Sequence, residues 1–475
     1  MTQFPLAPDL PVSLHWVNAA PLRIAALRGR LGALIFWHAG SATSANALAD
    51  LGYLQTKYAD GLSVIGIHTP KFDAQRESDL VARAVNRLSV RFPVASDPDA
   101  VAWQHYGIRA WPSVALIDAQ GRLVEIVSGD QQRELLEARV VELLDDAGEL
   151  GLRVYENAPP ALRPEPMREL CFPTALALTP QRLYVCDSGH HRVIECSHEG
   201  QVLRVFGSGA AGFEDGPGIQ ASFHSPGGLA VLKDALYVSD VGNHAIRRIQ
   251  LGTGQVDTLL GQGMAGLPHA VANFRESPVL LDRPCGLAAN FDRLYVAMAG
   301  SNQIWEADLT RFGFRPVAGS GRLALADGVG ALAAFAQPAG LAVLQHALYV
   351  ADSQTSALRS LHLGSGAVQT LIGSGLFEFG QAGGTRPTAR LQFPMGIALD
   401  PKSPTLWVAD CYNDSIAMLR LGTGELAELP LAHPLRRPAA VASDGTHLWI
   451  SNTDAHELLR VDPATREVVV LPVTP

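Results

Sequence analysis

Short apolar runs alternate with amphipathic stretches over the first 148 residues. The apolar runs predict strands at 31–37, 62–68, 93–96, 113–118 and 123–127, and the amphipathic stretches predict helices at 42–58, 77–88, 101–106 and 131–144. Such β-α-β alternation is typical of a mostly parallel sheet covered by helices. Residues 1–148 are therefore predicted to form an α/β domain.

A different pattern fills the second part of the chain. A five-residue strand of the type Leu-Tyr-Val-Ala-Asp recurs six times, at 183–187, 236–240, 294–298, 348–352, 406–410 and 448–452. Each copy follows a strand that begins with a proline, in most cases in a Pro-x-Gly sequence. Four short strands per unit, repeated about every 40–60 residues, are the signature of a β-propeller blade, because one such sheet must stack on its neighbours. Six units predict a six-bladed ring.

The boundary between the two parts is rich in proline. Four prolines lie at 159, 160, 164 and 166, where they exclude a helix interior or a central strand. The predicted organisation is therefore a domain at 1–148, a proline-rich linker at 149–167 and a propeller at 168–475.

Composition narrows the class of protein. The net charge is −9, which argues against nucleic-acid binding, and 47% hydrophobic with 17% charged residues indicates a globular chain. No apolar run is long enough for a membrane span, and no secretory signal is seen. The five cysteines are scattered without a Cys-x-x-Cys pair, so we expect free thiols and a cytoplasmic location.

The propeller units resemble NHL repeats. The segment 236–246, Leu-Tyr-Val-Ser-Asp-Val-Gly-Asn-His-Ala-Ile, matches that repeat closely, and all six units share its register. The long connections at 215–226 and 327–338 resemble those of proteins that fuse a thioredoxin-like domain to NHL repeats. The resemblance implies a multidomain α/β plus all-β protein, with a thioredoxin-like domain followed by a six-bladed NHL propeller.

The N-terminal part is similar to the thioredoxin-like domains of that family. Such domains place Cys-x-x-Cys at the start of the helix that follows the strand ending at Trp37, whereas this chain has Ser41-Ala-Thr-Ser44. Pro112 matches the proline that faces the thiols, and the resemblance implies a cis bond before it. Since residues 1–170 contain no cysteine, we expect no thiol–disulfide activity, and we expect the hydroxyls to cap the helix.

A polar ring is predicted on one face of the propeller. Four residues after each strand end the chain places a polar side chain, at His191, His244, Asn302, Ser356, Asp414 and His456. Such groups can hold a metal or a ligand. In the repeats that this chain resembles, they tie the inner hairpin together by hydrogen bonds, and we favour that structural role; no metal and no cofactor are predicted.

A second polar set lies just before the blade prolines. It comprises His224, Arg283, Gln337, Gln392, Arg436 and Arg437, which we expect near one mouth of the central channel. These side chains suit a small anion or a protein carboxylate, although polar residues at loop ends are common. We refer to them as the channel-mouth residues.

Two classes of function remain open at this point. A non-catalytic binding or scaffold protein would use the propeller face and the groove beside Pro112 to hold a protein or peptide. The alternative is a propeller enzyme, a lyase or hydrolase, that acts on a small ligand at the channel mouth. The apolar inner strands and the missing cysteines favour binding, and the oligomeric state stays open.

Overall fold

The computed structural model describes residues 4–152 and 168–474. The chain divides into two compact units, Met1–Pro166 and Met167–Pro475. The predicted linker at 149–167 lies outside the described residues except for its first four positions. In the part of the chain that is described, no helix is both long and apolar enough to cross a membrane.

The described residues of the first unit form a six-stranded sheet and four α-helices. Its strands are β1 (His15–Trp16), β2 (Leu31–Trp37), β3 (Leu62–His68), β4 (Val94–Ser96), β5 (Ser113–Ile117) and β6 (Leu123–Ser128). Its helices are α1 (Ala42–Lys57), α2 (Ser78–Arg87), α3 (Val101–His105) and α4 (Arg133–Glu149), with 3₁₀ turns at Ile24–Leu27 and Asp73–Arg76. This is the thioredoxin-like domain that the sequence predicts.

The sheet is mixed rather than mostly parallel. The strand order is β1-β4-β3-β2-β5-β6. Only the β2–β3 and β3–β4 pairings are parallel, and the other three are antiparallel. The prediction of a mostly parallel sheet is therefore wrong: β5 enters antiparallel to β2, and a tight turn at 118–122 folds β6 back onto β5.

The core of this unit lies on both faces of the sheet. Every residue of β2 is buried, and because side chains alternate along a strand, they enter two separate clusters. Leu31, Ile35 and Trp37 pack with residues of α1, α2 and α4, whereas Leu34 and Phe36 pack on the opposite face. Burial on both faces explains why the sequence of β2 is a continuous apolar run.

The second unit is a six-bladed propeller with four antiparallel strands in each blade. The strands of blades 1 to 3 are β7–β10 (Pro173–Leu178, Leu183–Asp187, Arg192–Cys196, Val202–Phe206), β12–β15 (Pro226–Leu232, Ala235–Asp240, Ala245–Gln250, Gln255–Leu260) and β16–β19 (Pro284–Asn290, Arg293–Met298, Gln303–Asp308, Phe314–Ala318). Those of blades 4 to 6 are β21–β24 (Pro338–Leu344, Ala347–Asp352, Ala357–His362, Ala367–Ile372), β25–β28 (Pro394–Leu399, Thr405–Asp410, Ser415–Arg420, Glu425–Leu429) and β29–β32 (Pro438–Ser443, Leu448–Asn452, Glu457–Val461, Val468–Val470).

The two long connections each add a short strand to a blade. β11 (Gly216–Pro217) pairs with β15 in blade 2, and β20 (Gly328–Val329) pairs with β24 in blade 4. Each is followed by a 3₁₀ turn, at Gly218–Gln220 and Gly330–Leu332. These connections are the segments that the sequence singles out as shared.

The glycine of the Pro-x-Gly sequence allows the inner strands to approach closely. A Cβ at Gly228, Gly286 or Gly340 would lie 2.0–2.2 Å from a backbone carbonyl oxygen of the next blade. Real Cβ atoms do not come so near to an oxygen, so any side chain would force the blades apart. The motif therefore sets the spacing of neighbouring blades around the channel.

Candidate functional site

Each polar-ring residue occupies the same backbone position in its blade. The second strand ends, a short turn follows, and the next residue adopts a left-handed conformation with φ between 49° and 61°. Because the blade proline pairs with the strand end, as Pro226 does with Asp240, these turns lie on the face where the inner strands begin. The polar ring and the channel-mouth residues therefore share one face of the propeller.

The ring side chains bind the next blade rather than their own hairpin. Each accepts a hydrogen bond from the backbone N–H of the residue before the next blade proline: His191 from Ser225 (3.1 Å), His244 from Arg283 (3.1 Å), Asn302 from Gln337 (2.8 Å), Ser356 from Phe393 (3.2 Å), Asp414 from Arg437 (2.5 Å) and His456 from Phe172 (3.1 Å). The expected bond within the hairpin is thus corrected to a bond between blades, which repeats at all six junctions.

The strand-end carboxylates hold the same loops from the other side. In five blades the strand-end side chain accepts the N–H of the residue two before its own blade proline: Asp187 from Cys171, Asp240 from His224, Asp352 from Ala336, Asp410 from Gln392 and Asn452 from Arg436, at 2.6–2.7 Å. Blade 3 has Met298 at this position. In these five loops, two successive N–H groups are therefore held by two different blades.

Two of the ring histidines, His191 and His244, are neutral acceptors. Burial is the main cause that lowers the pKa of His191 to about 4, and the charge of the nearby His224 is the second cause. Burial, followed by the charge of Arg283, lowers the pKa of His244 to about 3. Their Nδ1 atoms already accept backbone bonds, so they have no lone pair there for a metal ion. Among the described residues no group of three or more His, Cys, Asp or Glu side chains is arranged to hold a metal.

The channel-mouth residues fall at two successive loop positions and differ in exposure. His224 is exposed, and Arg283 and Gln337 are half-buried. Gln392 and Arg437, in contrast, are buried, the first donating to Asn413 Oδ1 at 2.8 Å and the second lying 3.4 Å from Asp454. Among the channel-mouth residues, the side chains that reach solvent are therefore His224, Arg283, Gln337 and Arg436.

One of the two hydroxyls that replace the cysteines, that of Ser41, caps helix α1. Ser41 Oγ accepts the N–H of Ser44 at 3.0 Å and lies 2.8 Å from the Thr43 hydroxyl. Ser44 is fully buried, and its Oγ has no hydrogen-bond partner among the described residues. The capping expected for Ser41 is thus seen, whereas the Ser44 hydroxyl does not cap the helix.

Aromatic contacts surround this helix start. The bond between Trp111 and Pro112 is cis, as the resemblance implies. The ring of His38 contacts the ring of Trp111 at 5.2 Å, and the His38 carbonyl accepts the N–H of Ser41. Burial, followed by the charge of Lys71, lowers the pKa of His38 far below its usual range. His38 is therefore neutral beside the capped helix.

All five cysteines lie in the propeller unit, where they are free. Cys186 pairs across the hairpin with Val193, and Cys196 pairs with Leu183, so the two sulfur atoms do not face each other. Burial raises the pKa of Cys196 to about 12 and that of Cys285 to about 11. These thiols are protonated at neutral pH, which makes them poor nucleophiles.

One feature of blade 5 was missed by the sequence analysis. A cavity of about 90 Å³ lies against the buried carboxyl group of Asp410, with Glu428 and Gln381 on its rim. The signal was present: an arginine stands seven residues after the strand-end aspartate in blades 2 and 4, but Ala417 stands there in blade 5.

Comparison with known proteins finds relatives that span both units. NHL repeat-containing protein 2 of Bos taurus is 30% identical over 525 residues, covering 98% of this chain and 72% of that protein. Protein SUPPRESSOR OF QUENCHING 1, chloroplastic, of Arabidopsis thaliana is 33% identical over 87% of this chain and 41% of its own length. Thiol-disulfide oxidoreductase ResA of Bacillus thuringiensis is 30% identical over 23% of this chain and 62% of its own. No family model matches the chain.

Proposed function

Since the chain belongs to the NHL repeat-containing protein 2 family, we propose that it is a non-catalytic binding protein that holds a protein or peptide at the channel-mouth face of its propeller. The groove beside Pro112 in the thioredoxin-like domain is a second surface for an extended peptide. Thiol exchange is not part of this function, because hydroxyls occupy both positions of the usual Cys-x-x-Cys sequence.

The observation that carries the proposal is the contrast between the ring and the mouth. The ring side chains are used in bonds between blades, whereas His224 and Arg283 on the same face reach solvent. Arg283 supplies a positive charge next to His224. Burial is the main cause that lowers the pKa of the His224 imidazole, and the charge of Arg283 is the second cause. A cationic, partly exposed mouth suits a carboxylate or an acidic segment of a partner.

A lyase or hydrolase remains the alternative class, and it would need a base beside the bound ligand. The Nδ1 atoms of His191, His244 and His456 are already used as acceptors of backbone N–H groups. This arrangement supports binding over catalysis at the ring.

A pair of charge reversals tests the proposal. Arg283→Glu places a negative charge at the mouth, and Arg311→Glu places the same charge in the exposed turn between β18 and β19, at the opposite end of the blade. With each protein immobilised, we expect the partner retained from the native host to fall at least tenfold for Arg283→Glu and to stay unchanged for Arg311→Glu. Equal retention by both variants and the wild type would contradict binding at the mouth.

A further inference from the structure

Two blades contain a fully buried arginine in the same position. Arg247 in blade 2 and Arg359 in blade 4 both have no exposed side-chain surface. Each lies seven residues after the strand-end aspartate and forms an ion pair with it, Arg247 with Asp240 at 2.9 Å and Arg359 with Asp352 at 3.3 Å. A buried guanidinium group needs such partners to offset the loss of its hydration.

The rest of the guanidinium group is held by the connection that enters the blade. Arg359 donates to the carbonyl oxygens of Ala326 (2.8 Å) and Ala334 (3.0 Å) and to Asp327 (3.0 Å). Arg247 makes the equivalent bonds to the carbonyls of Glu214 and Ser222 and to Asp215. Two carboxylates and two carbonyls therefore form one guanidinium site, built twice in this propeller.

Blade 5 keeps this arrangement of acceptors without the arginine. Ala382 and Arg390 bridge across the connection as Ala326 and Ala334 do in blade 4, so their carbonyl groups take the same places. Asp410 takes the place of Asp352, and Ala417 takes the place of the arginine.

In blade 5 the second carboxylate comes from a different residue than in blade 4. In blade 4, Arg359 faces Thr370 across the strand pair, and Asp327 accepts a bond from the Thr370 hydroxyl. In blade 5, Ala417 faces Glu428 instead. Glu428 thus brings a carboxylate to the side of the site where the connection no longer supplies one.

The space left by the arginine is the 90 Å³ cavity. A single water needs roughly 10–15 Å³, so the cavity accepts a group of several heavy atoms. Gln381, Gly383 and Glu428 line it and are exposed, which gives access from solvent. Arg390 also lines the cavity, but its guanidinium group does not fill it, because that group donates to the carbonyls of Pro387 and Ala389.

Asp410 differs from its counterparts in lacking a cation. It accepts bonds from Asn413 (2.6 Å) and from the backbone of Gln392 (2.7 Å), and among the described residues no arginine, lysine or histidine pairs with it. Burial, and in part the charge of Glu428, raises the pKa of Asp410 to about 8. The pKa of Asp240, which has its arginine, is raised only to about 6.

We propose that the blade 5 cavity binds a guanidinium group, supplied either by an arginine side chain of a peptide or by free arginine. The occupant would reproduce the bonds that Arg247 and Arg359 make within their own blades. This site does not depend on the proposed function, because it lies in blade 5, whereas the exposed mouth residues His224 and Arg283 belong to blades 2 and 3.

The test is a titration of the full chain, monitored by NMR or calorimetry. It is done at pH 8.5, where Asp410 is ionised in a larger share of molecules than at neutral pH. The probes are free arginine, an Arg-containing tripeptide with blocked ends, and the same tripeptide with citrulline, which keeps the shape and loses the charge. We expect the arginine probes to bind at least tenfold more tightly than the citrulline peptide. A preference for the tripeptide over free arginine identifies a peptide as the source, and equal or weaker tripeptide binding identifies free arginine.

Three variants separate this site from nonspecific binding. Ala417→Arg supplies the missing guanidinium group from the chain itself, so we expect it to abolish binding and to raise the Tm. Asp410→Asn keeps the shape and should weaken arginine binding at least tenfold. Ala210→Arg, at an exposed position in the connection between blades 1 and 2, should change neither the arginine affinity nor the Tm. Arginine binding that survives Ala417→Arg, or equal affinities for arginine and citrulline probes, would overturn the proposal. Should Ala417→Arg fail to fold, Asp410→Asn decides alone.

Discussion

His456 in the last blade accepts a hydrogen bond from the backbone N–H of Phe172 in the first blade, with 3.1 Å between Nδ1 and the nitrogen. The Thr453 hydroxyl donates to the Pro173 carbonyl at the same junction, at 2.7 Å. The described strands of each blade are contiguous in the chain, so no strand is exchanged between the first blade and the last. The ring therefore closes with the same side-chain bond that joins every other pair of blades.

The hydrogen bonds between blades predict the effect of changing a ring residue such as His244. His244→Leu removes the acceptor and leaves the Arg283 N–H without its partner, which should lower the free energy of unfolding by about 1–3 kcal/mol. His244→Asn, which tolerates the left-handed backbone and offers an oxygen, should cost less than about 1 kcal/mol. Urea unfolding of both variants checks this, and equal losses would show that the acceptor is unimportant.

His244 should also make the free energy of unfolding depend on pH. The pKa of His244 is about 3 in the folded protein, against about 6.5 when unfolded, so only the unfolded chain takes up the proton between these values. Its contribution to stability is present above pH 6.5 and is lost as the pH falls, by up to about 1.4 kcal/mol per pH unit. Wild type should therefore lose stability relative to His244→Asn between pH 6.5 and 4.5. Parallel pH profiles of the two proteins would contradict the assigned pKa.

The buried arginines should be far more important than exposed ones. Arg247→Met leaves Asp240 buried without its cation, and we expect a loss of about 3–5 kcal/mol in the free energy of unfolding. The neighbouring Arg248 pairs with Asp257 at the surface, and Arg248→Met should cost about 1 kcal/mol or less. Denaturant midpoints of the two variants compare the sites within one strand. Similar shifts would argue against a structural role for the buried pair.

We expect the first unit to have no thiol–disulfide activity, and two substitutions should restore it. Wild type should reduce insulin disulfides no faster than a blank, since residues 1–170 contain no cysteine. The double variant Ser41→Cys with Ser44→Cys places two thiols one turn apart at the start of α1, where the helix dipole lowers a thiol pKa. We expect it to form a disulfide and gain activity, whereas Ser41→Cys alone should not. A double variant that cannot form the disulfide would show that these hydroxyls do not occupy the dithiol positions.

Much of the fold was accessible from the sequence because it repeats. The strand at 183–187 was placed at its observed bounds, since six copies share one pattern. The partners of the ring residues were not accessible: His244 bonds to Arg283, which is 39 residues further along the chain in another blade, and local spacing says nothing about that contact. The site in blade 5 is visible only when blades are aligned on their aspartates, because its defining feature is a missing arginine at Ala417.

The mixed sheet of the first unit shows a different limit. Alternation of strands and helices indicates parallel pairing, whereas β5 pairs antiparallel with β2. The loop before β5 makes ring contacts from Trp111 to Trp103 and His38, which are tertiary contacts. Periodicity alone cannot supply them.

Photo-crosslinking in the native host is the sharpest test of binding at the channel mouth. A photoreactive phenylalanine analogue replaces the exposed His224, and in a separate protein it replaces Arg311 at the opposite end of blade 3. We expect a discrete crosslinked partner from position 224 and none from position 311. Crosslinking from position 311 at equal yield, or no product from position 224, would contradict it.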